Sequence, residues 1–142
     1  MKLVKHLLDT KGRHIVSVTP DTSVLDAIKL MADKTVGSVV VMESGELCGI
    51  MTERDYSRKV IIADRSSSKT MVAEIMTADV VTTSSAKTVD DCMGLMAEKG
   101  IRHLPVVEDQ QVIGMISVGD IVQAIIADQK QEIEQLEHSS ND

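Results

Sequence analysis

An internal duplication constrains the fold of this chain more than any other feature of the sequence. Sliding residues 16–62 onto residues 81–127 without a gap gives 12 identical pairs in 47 positions. The pairs include Gly49 with Gly114 and, six residues later, Asp55 with Asp120. A chain of 142 residues has the size of one ordinary domain. The sequence therefore predicts a single domain assembled from two copies of one unit.

Each copy has the same order of predicted elements. A short β-branched stretch is followed by an amphipathic helix, two strands joined by a tight turn, and a second helix. Apolar residues at helical spacing place the first helices at about Ser23–Lys34 and Thr88–Lys99, with acids in their first turns. Short helical stretches at residues 4–8 and 72–76 precede the copies. The expected class is α/β, or α+β by some schemes.

Polar stretches suggest where the chain divides. The sequence "ADRSSSKT" between the copies reads as a linker. The predicted segments are residues 1–64 (N-terminal helix and first unit), 65–71 (linker), 72–129 (second unit) and 130–142 (extension of the last helix and a frayed tail).

The composition excludes several classes of function. A formal charge of −7 argues against binding to nucleic acid or to an anionic membrane, since both need a basic face. No apolar run approaches the roughly 18–20 residues that span a bilayer. Together with the two cysteines, which are typical of buried thiols in a reducing compartment, this predicts a cytoplasmic protein. Two cysteines, Cys48 and Cys92, make neither a disulfide framework nor a metal site, and both are predicted to be buried thiols.

A hydroxyl-x-x-aspartate step occurs at the start of the last helix in each copy, as Thr52 with Asp55 and as Ser117 with Asp120. One interpretation is a capping box, in which the side chains satisfy the first backbone N–H groups of the helix. The other is recognition of a diol, because a carboxylate accepts strong hydrogen bonds from both hydroxyls of a ribose. A helix N-terminus also favours phosphate. The two interpretations are compatible.

The segments "VGSVVVMESGELCGIMTERDYSRKV" and "MAEKGIRHLPVVEDQQVIGMISVGDIV" resemble the cystathionine-β-synthase (CBS) domain family. The resemblance covers about residues 3–129 and includes both copies. It implies two repeated β-α-β-β-α units that pack through their sheets into a pseudo-two-fold pair, also called a Bateman module.

The resemblance also implies a regulatory, signal-transducing module that senses energy or redox state. Such a module binds an adenosine nucleotide (AMP, ADP, ATP or NAD(H)) in the cleft between the units. The implied ribose ligands are Thr52 and Asp55 in one site and Ser117 and Asp120 in the other. The implied phosphate ligands are Arg54, Arg58, Arg102 and His103 for the first site, and Lys11 and Arg13 for the second. The implied adenine pockets are Ile50, Val80, Val81 and Pro105 for the first site, and Ile15, Val16 and Met115 for the second.

Two other functions are alternatives to nucleotide sensing. An enzyme is disfavoured because the sequence has no nucleophile elbow and no metal-ligand cluster, so we expect no catalytic residues and no catalytic cofactor. A ligand-free dimeric interaction module remains the alternative. Both the sensor and the scaffold are expected to form a homodimer and to act on an unidentified regulated protein. We call the last helix of each copy its closing helix. The expected dimer face is the apolar side of the two closing helices, around Tyr56, Val60, Ile121 and Ile125.

Overall fold

The computed structural model describes residues 2–140, and their side chains as far as His138. The first half contains α1 (Val4–Lys11), β1 (Ser17–Val18), α2 (Val24–Lys34), β2 (Ser38–Glu43), β3 (Glu46–Thr52) and α3 (Glu53–Tyr56), which continues as a π-helix over Ser57–Ile61. The second half contains α4 (Val72–Ile75), α5 (Val89–Lys99), β4 (His103–Glu108), β5 (Gln111–Ser117) and α6 (Val118–Ser140). The predicted helical extension reaches Ser140, and the end of the predicted frayed tail lies outside the described residues.

Side-chain caps start α2 and α5 at the predicted residues. The hydroxyl of Ser23 accepts the backbone N–H of Asp26 at 3.1 Å, and the hydroxyl of Thr88 accepts that of Asp91 at 3.0 Å. Each cap satisfies one N–H group that has no partner inside the helix. The predicted starts of both helices are confirmed.

The two sheets differ by one strand. The first copy has a three-stranded sheet in the order β1-β2-β3, whereas the second copy has only the β4-β5 hairpin. The prediction of a first strand in the second copy is wrong, because that stretch forms only an isolated bridge between Thr83 and Val106. In the first copy the Val40 N–H donates to the Val16 carbonyl at 3.1 Å. Pro105 is aligned with Val40 and has no N–H to donate, so the matching bond cannot form.

Each short helix packs in the core of the other copy. Val4, Leu7 and Leu8 of α1 are buried with α5, β4, β5 and α6. Val72 and Ile75 of α4 are buried with α2 and the first sheet. The packing therefore crosses the predicted division of the chain, because the N-terminal helix belongs to the core of the second unit.

We call α1 and α4 the exchanged helices, because each packs in the core of the other copy. The glycine that is repeated in each copy leaves room for one of them. A Cβ atom at Gly114 would lie 2.7 Å from Cδ2 of Leu8. A Cβ atom at Gly49 would overlap the sulfur of Met76, the residue that follows α4. Both strands thus need a residue without a side chain where the helix approaches.

The predicted dimer face is corrected by the burial of its residues. Val60 and Ile121 are fully buried in the cores of the two copies. Tyr56 and Ile125 are half-buried against the same cores. The closing helices carry apolar residues on two sides, so spacing alone did not identify the outward side. The exposed large apolar residues on or next to these helices include Ile61, Ile62, Val122 and Ile126, and the extension of α6 adds Ile133 and Leu136.

The two cysteines differ in burial. Cys92 is buried as predicted, but Cys48 is only half-buried near the end of the β2-β3 hairpin. Burial raises the pKa of the Cys48 thiol, and the nearby Glu43 carboxylate raises it further. Burial likewise raises the pKa of Cys92. Both thiols are therefore less easily converted to the reactive thiolate than an ordinary cysteine.

Candidate functional site

A cavity of about 360 Å³ opens at the start of α3, between the two copies. We name it the first cleft. Its lining includes nine residues that were predicted for the Asp55 site: Thr52, Asp55, Arg54, Arg58, Arg102, His103, Ile50, Val80 and Val81. Side chains from distant parts of the sequence thus meet around one concave space, as expected of a ligand pocket.

The carboxylate of Asp55 caps α3 and also faces the first cleft. Its Oδ2 atom accepts the Thr52 backbone N–H at 2.9 Å and the Thr52 hydroxyl at 3.2 Å. The Asp55 N–H donates in return to the Thr52 hydroxyl oxygen at 3.2 Å, which completes a capping box. The other carboxylate oxygen, Oδ1, lies 3.1 Å from the ammonium of Lys59. Because the capping hydrogen bonds use Oδ2, a ligand that shares Oδ1 with Lys59 would leave the helix capped.

Several cations line the rim of the first cleft. Arg58 and Arg102 are exposed, and Arg54 donates only a long hydrogen bond of 3.4 Å to the Gly100 carbonyl. His103 is half-buried, and burial lowers its pKa; Lys11 lowers the pKa further, while Glu53 and Asp120 partly oppose the shift. These guanidinium groups suit a phosphate, which prefers planar donors.

Aliphatic residues form the opposite wall of the first cleft. Ile50, Val80 and Val81 line it, and the first two belong to different copies. Pro105, also predicted for this wall, lies buried in β4 and is not among the described residues that line the cavity. Pro105 affects the wall indirectly. In the first copy its counterpart Val40 donates to the Val16 carbonyl, but Pro105 has no N–H to donate to the aligned Val81 carbonyl.

The second cleft is the matching region around Ser117, Asp120 and Met115. Its capping box has the same geometry: the Ser117 N–H donates to Oδ2 of Asp120 at 2.8 Å, and the Asp120 N–H donates to the Ser117 hydroxyl at 3.1 Å. The ammonium of Lys11 donates to the same Oδ2 atom at 2.6 Å and to the Met115 carbonyl at 2.7 Å. The structure therefore places Lys11, a predicted phosphate ligand, on the predicted ribose carboxylate.

The other residues predicted for the second site lie in different surroundings. Arg13 is exposed and forms an ion pair with Asp9 at 2.9 Å. Ile15 is 39% exposed, and Val16 packs against the core of the first copy. The structure thus brings together four of the predicted residues, namely Lys11, Met115, Ser117 and Asp120.

Seven lining residues of the first cleft were not predicted from the sequence: Gly37, Glu53, Lys59, Thr77, Asp79, Gly100 and Ile101. The spacing of Asp55 and Lys59, four residues apart on a helix, was a usable signal for their ion pair. Thr77 was not detectable in this way, because it reaches the cleft through backbone hydrogen bonds with Ile50 at 2.9 and 3.0 Å.

Within residues 2–140, no group of three His, Cys, Asp or Glu side chains is arranged to hold a metal ion. In the same range, no helix has the length and apolar character that crossing a membrane requires.

The sequence and the fold together define the family. The model of the CBS domain matches residues 4–61 and again residues 72–127, and the chain belongs to the CBS domain family. Among curated relatives, the mitochondrial CBS domain-containing protein CBSX3 of Arabidopsis thaliana is 43% identical over 123 residues, which cover 83% of this chain and 60% of that protein. The CBS domain-containing protein YhcV of Bacillus subtilis is 31% identical over 113 residues, or 80% of each chain.

Solved structures confirm the CBS pair architecture. A protein with CBS domains from Burkholderia ambifaria is 46% identical with a TM-score of 0.87, covering 90% of this chain and 96% of that one. The CBS domain pair of protein MJ0100 is 25% identical with a TM-score of 0.81, covering 90% and 98%. That pair was solved in complex with 5-methylthioadenosine and S-adenosyl-L-methionine. A CBS-CP12 protein from bloom-forming cyanobacteria, 28% identical with a TM-score of 0.77 over 86% and 70% of the chains, is hexameric.

Proposed function

We propose that this CBS pair is a regulatory module that binds an adenosine nucleotide, either AMP, ADP, ATP or NAD(H), in the first cleft. The observation that carries the proposal is the meeting of three chemistries around one cavity. The Asp55 carboxylate suits a ribose diol, the guanidinium groups of Arg54, Arg58 and Arg102 suit phosphate, and an aliphatic wall suits a base.

Two features support an adenine base rather than any planar group. The wall is aliphatic and has a backbone edge, at Val80 and Val81, that can hydrogen-bond to the base. Adenosine compounds also occupy the related MJ0100 pair. Occupancy of the cleft would be reported to a regulated protein, which gives the module its role in sensing energy or redox state.

A thermal-shift panel tests the proposal. A ligand that binds only the folded state stabilises it by about 2.7 kcal/mol at a hundredfold excess over Kd. We expect melting shifts of several degrees with at least one of AMP, ADP, ATP and NAD, and none with CMP or inorganic phosphate. Equal shifts with CMP would show that binding is only electrostatic.

Asp55→Asn separates ribose recognition from helix capping. We expect nucleotide affinity to fall ten- to a hundredfold, or about 1.5–3 kcal/mol, because the amide lacks the charge that strengthens the diol hydrogen bonds. The unliganded protein should lose only about 0.3–1 kcal/mol, through the charge–dipole effect at α3. Isothermal titration calorimetry and thermal melts measure the two quantities.

Asp26→Asn is the matched control. Ser23 and Asp26 form the same hydroxyl-x-x-acid step at the start of α2, but Asp26 does not line the first cleft. This variant should show a comparable stability change with unchanged affinity. If Asp55→Asn also leaves affinity unchanged, the ribose assignment is wrong and the step serves capping alone.

We also propose that two copies of the chain pair through the exposed side of the closing helices. Ile61 and Ile126 are aligned in the duplication, and both are more than half exposed. Ile62 and Val122 are further exposed apolar residues. Light scattering should give twice the 15.4 kDa chain mass. Dimerisation together with an inert nucleotide panel would favour the alternative, a ligand-free interaction module.

A further inference from the structure

The Lys11 side chain contacts two groups of the second cleft, the Met115 carbonyl and the Asp120 carboxylate. The ammonium lies 2.7 Å from the Met115 carbonyl and 2.6 Å from Oδ2 of Asp120. The residues aligned with these two are Ile50 and Asp55, and both line the open cavity of the first cleft. The Lys11 ammonium therefore lies, in the second cleft, between two groups whose counterparts belong to residues that line the open cavity of the first cleft.

A difference in helix length brings Lys11 to this position. The exchanged helices begin alike: the Val4 N–H donates to the Lys87 carbonyl, and the Val72 N–H donates to the carbonyl of Thr22, which is aligned with Lys87. However, α4 has four residues and α1 has eight. The additional turn of α1 ends at Lys11, where a cation also suits the negative end of the helix.

The lysine beside Asp55 is arranged differently. Lys59 lies on the same helical segment as Asp55, four residues later, and its ammonium is 3.1 Å from Oδ1. It lines the first cleft and donates to the Ile75 carbonyl at 2.8 Å. Ala124 is aligned with Lys59, so the second copy has no cation at that position of its own helix. Its aspartate is instead neutralised by Lys11, which is 109 residues away in the sequence.

We propose that Lys11 determines how many adenosine ligands the chain binds. With Lys11 in place, the chain takes one ligand, in the first cleft, because a ribose at Asp120 must displace the ammonium that lies between the Asp120 carboxylate and the Met115 carbonyl. The second cleft takes a ligand only after Lys11 is withdrawn or removed. This inference rests on the proposed binding of an adenosine nucleotide at Asp55.

The test is a calorimetric titration with AMP of the full chain and three variants. The unsubstituted protein should bind one AMP per chain and Lys11→Ala two. Asp55→Asn should bind AMP at least tenfold more weakly than the unsubstituted protein, and the double variant Asp55→Asn/Lys11→Ala should regain one site. Alanine removes both the charge and the bulk of Lys11 while it preserves the helix.

Lys2→Ala provides the matched control. Lys2 forms a similar ion pair with Asp128 at 3.1 Å, so it also joins the N-terminal segment to α6. This variant should still bind one AMP, as the unsubstituted protein does. Circular dichroism checks the fold of every variant, and Lys11→Met, which keeps the length but not the charge, replaces Lys11→Ala if the latter does not fold.

The outcomes separate this inference from the proposed function. Binding of two AMP per chain by the unsubstituted protein overturns the role of Lys11. So does a double variant that binds no AMP when the unsubstituted protein binds one. Neither result contradicts the proposed site in the first cleft. Binding by Lys11→Ala but not by the unsubstituted protein supports Lys11 and rejects the assignment at Asp55. No AMP binding by any of the proteins rejects the role of Lys11 in AMP binding, and the assignment of the first cleft is rejected with it if ADP, ATP and NAD also give no melting shift.

Discussion

The two clefts share a motif but not an environment. In both, a hydroxyl and an aspartate three residues later form a capping box at the start of a helix. Asp55 faces an open cavity, whereas Asp120 is bound by Lys11 from another helix. The difference arises outside the aligned repeat, in the length of the preceding helix. A duplicated motif therefore does not guarantee a duplicated site.

The largest expected difference in stability between the two halves concerns the side chains that pack against the repeated glycines. Leu8 is fully buried against Gly114, whereas Met76 is half-buried against Gly49. Leu8→Ala should lower the free energy of unfolding by about 2–5 kcal/mol, since it leaves a cavity in the core. Met76→Ala should lower it by less. Urea denaturation at one fixed protein concentration measures both, and equal losses would contradict the difference in packing.

A smaller effect concerns the ends of the first helices of the two copies. Thr35 and Gly100 are aligned and both adopt the left-handed conformation, with φ of 56° and 65°. A β-branched residue is strained there by about 1–2 kcal/mol, and glycine is not. Gly100→Thr should therefore destabilise the protein by about that amount, and Thr35→Gly should stabilise it by up to about 1 kcal/mol. Loss of stability in Thr35→Gly would show that the threonine side chain makes a compensating contact.

The smallest expected effect is a dependence of protein stability on pH that arises in the first cleft only. Burial, together with Lys11, lowers the pKa of His103 below its ordinary value of 6.5, while Ser38, its aligned residue, does not ionise. As the pH falls through 6.5, the unfolded chain takes up a proton that the folded chain does not bind. Stability should therefore fall from pH 6.5 down to the folded pKa, and His103→Gln should reduce this loss. Thermal melts from pH 7.5 to pH 5 compare the two proteins, and identical profiles would contradict the shifted pKa.

Most of the fold was predictable because its signals are local. The alignment of the two copies and the spacing of apolar residues identified the helices, and the hydroxyl residues Ser23 and Thr88 marked two of their starts. The missing strand of the second copy was harder to foresee. Pro105 was visible in the sequence, but its effect depends on the pairing register, which decides whether its absent N–H is needed.

The open cavity was predictable in outline, and the contact of Lys11 with Asp120 in the second cleft was not. The motif at Asp55 and the basic residues near it indicated polar and cationic side chains that line the first cleft. The contact between Lys11 and Asp120 joins residues 109 positions apart and depends on an extra helical turn. The outward side of the closing helices was also missed, because Val60 and Ile121 have the same spacing as their exposed neighbours.

The exchange of α1 and α4 has a consequence for how such a chain could arise. A single ancestral unit would carry its short helix at one end but lack the one that fills its own core. It would have to obtain that helix from a second molecule, which is domain swapping between separate chains. Fusion of two units into one chain makes the swap intramolecular, so its strength no longer depends on protein concentration. It also frees the two short helices to diverge, as the eight residues of α1 and the four of α4 show.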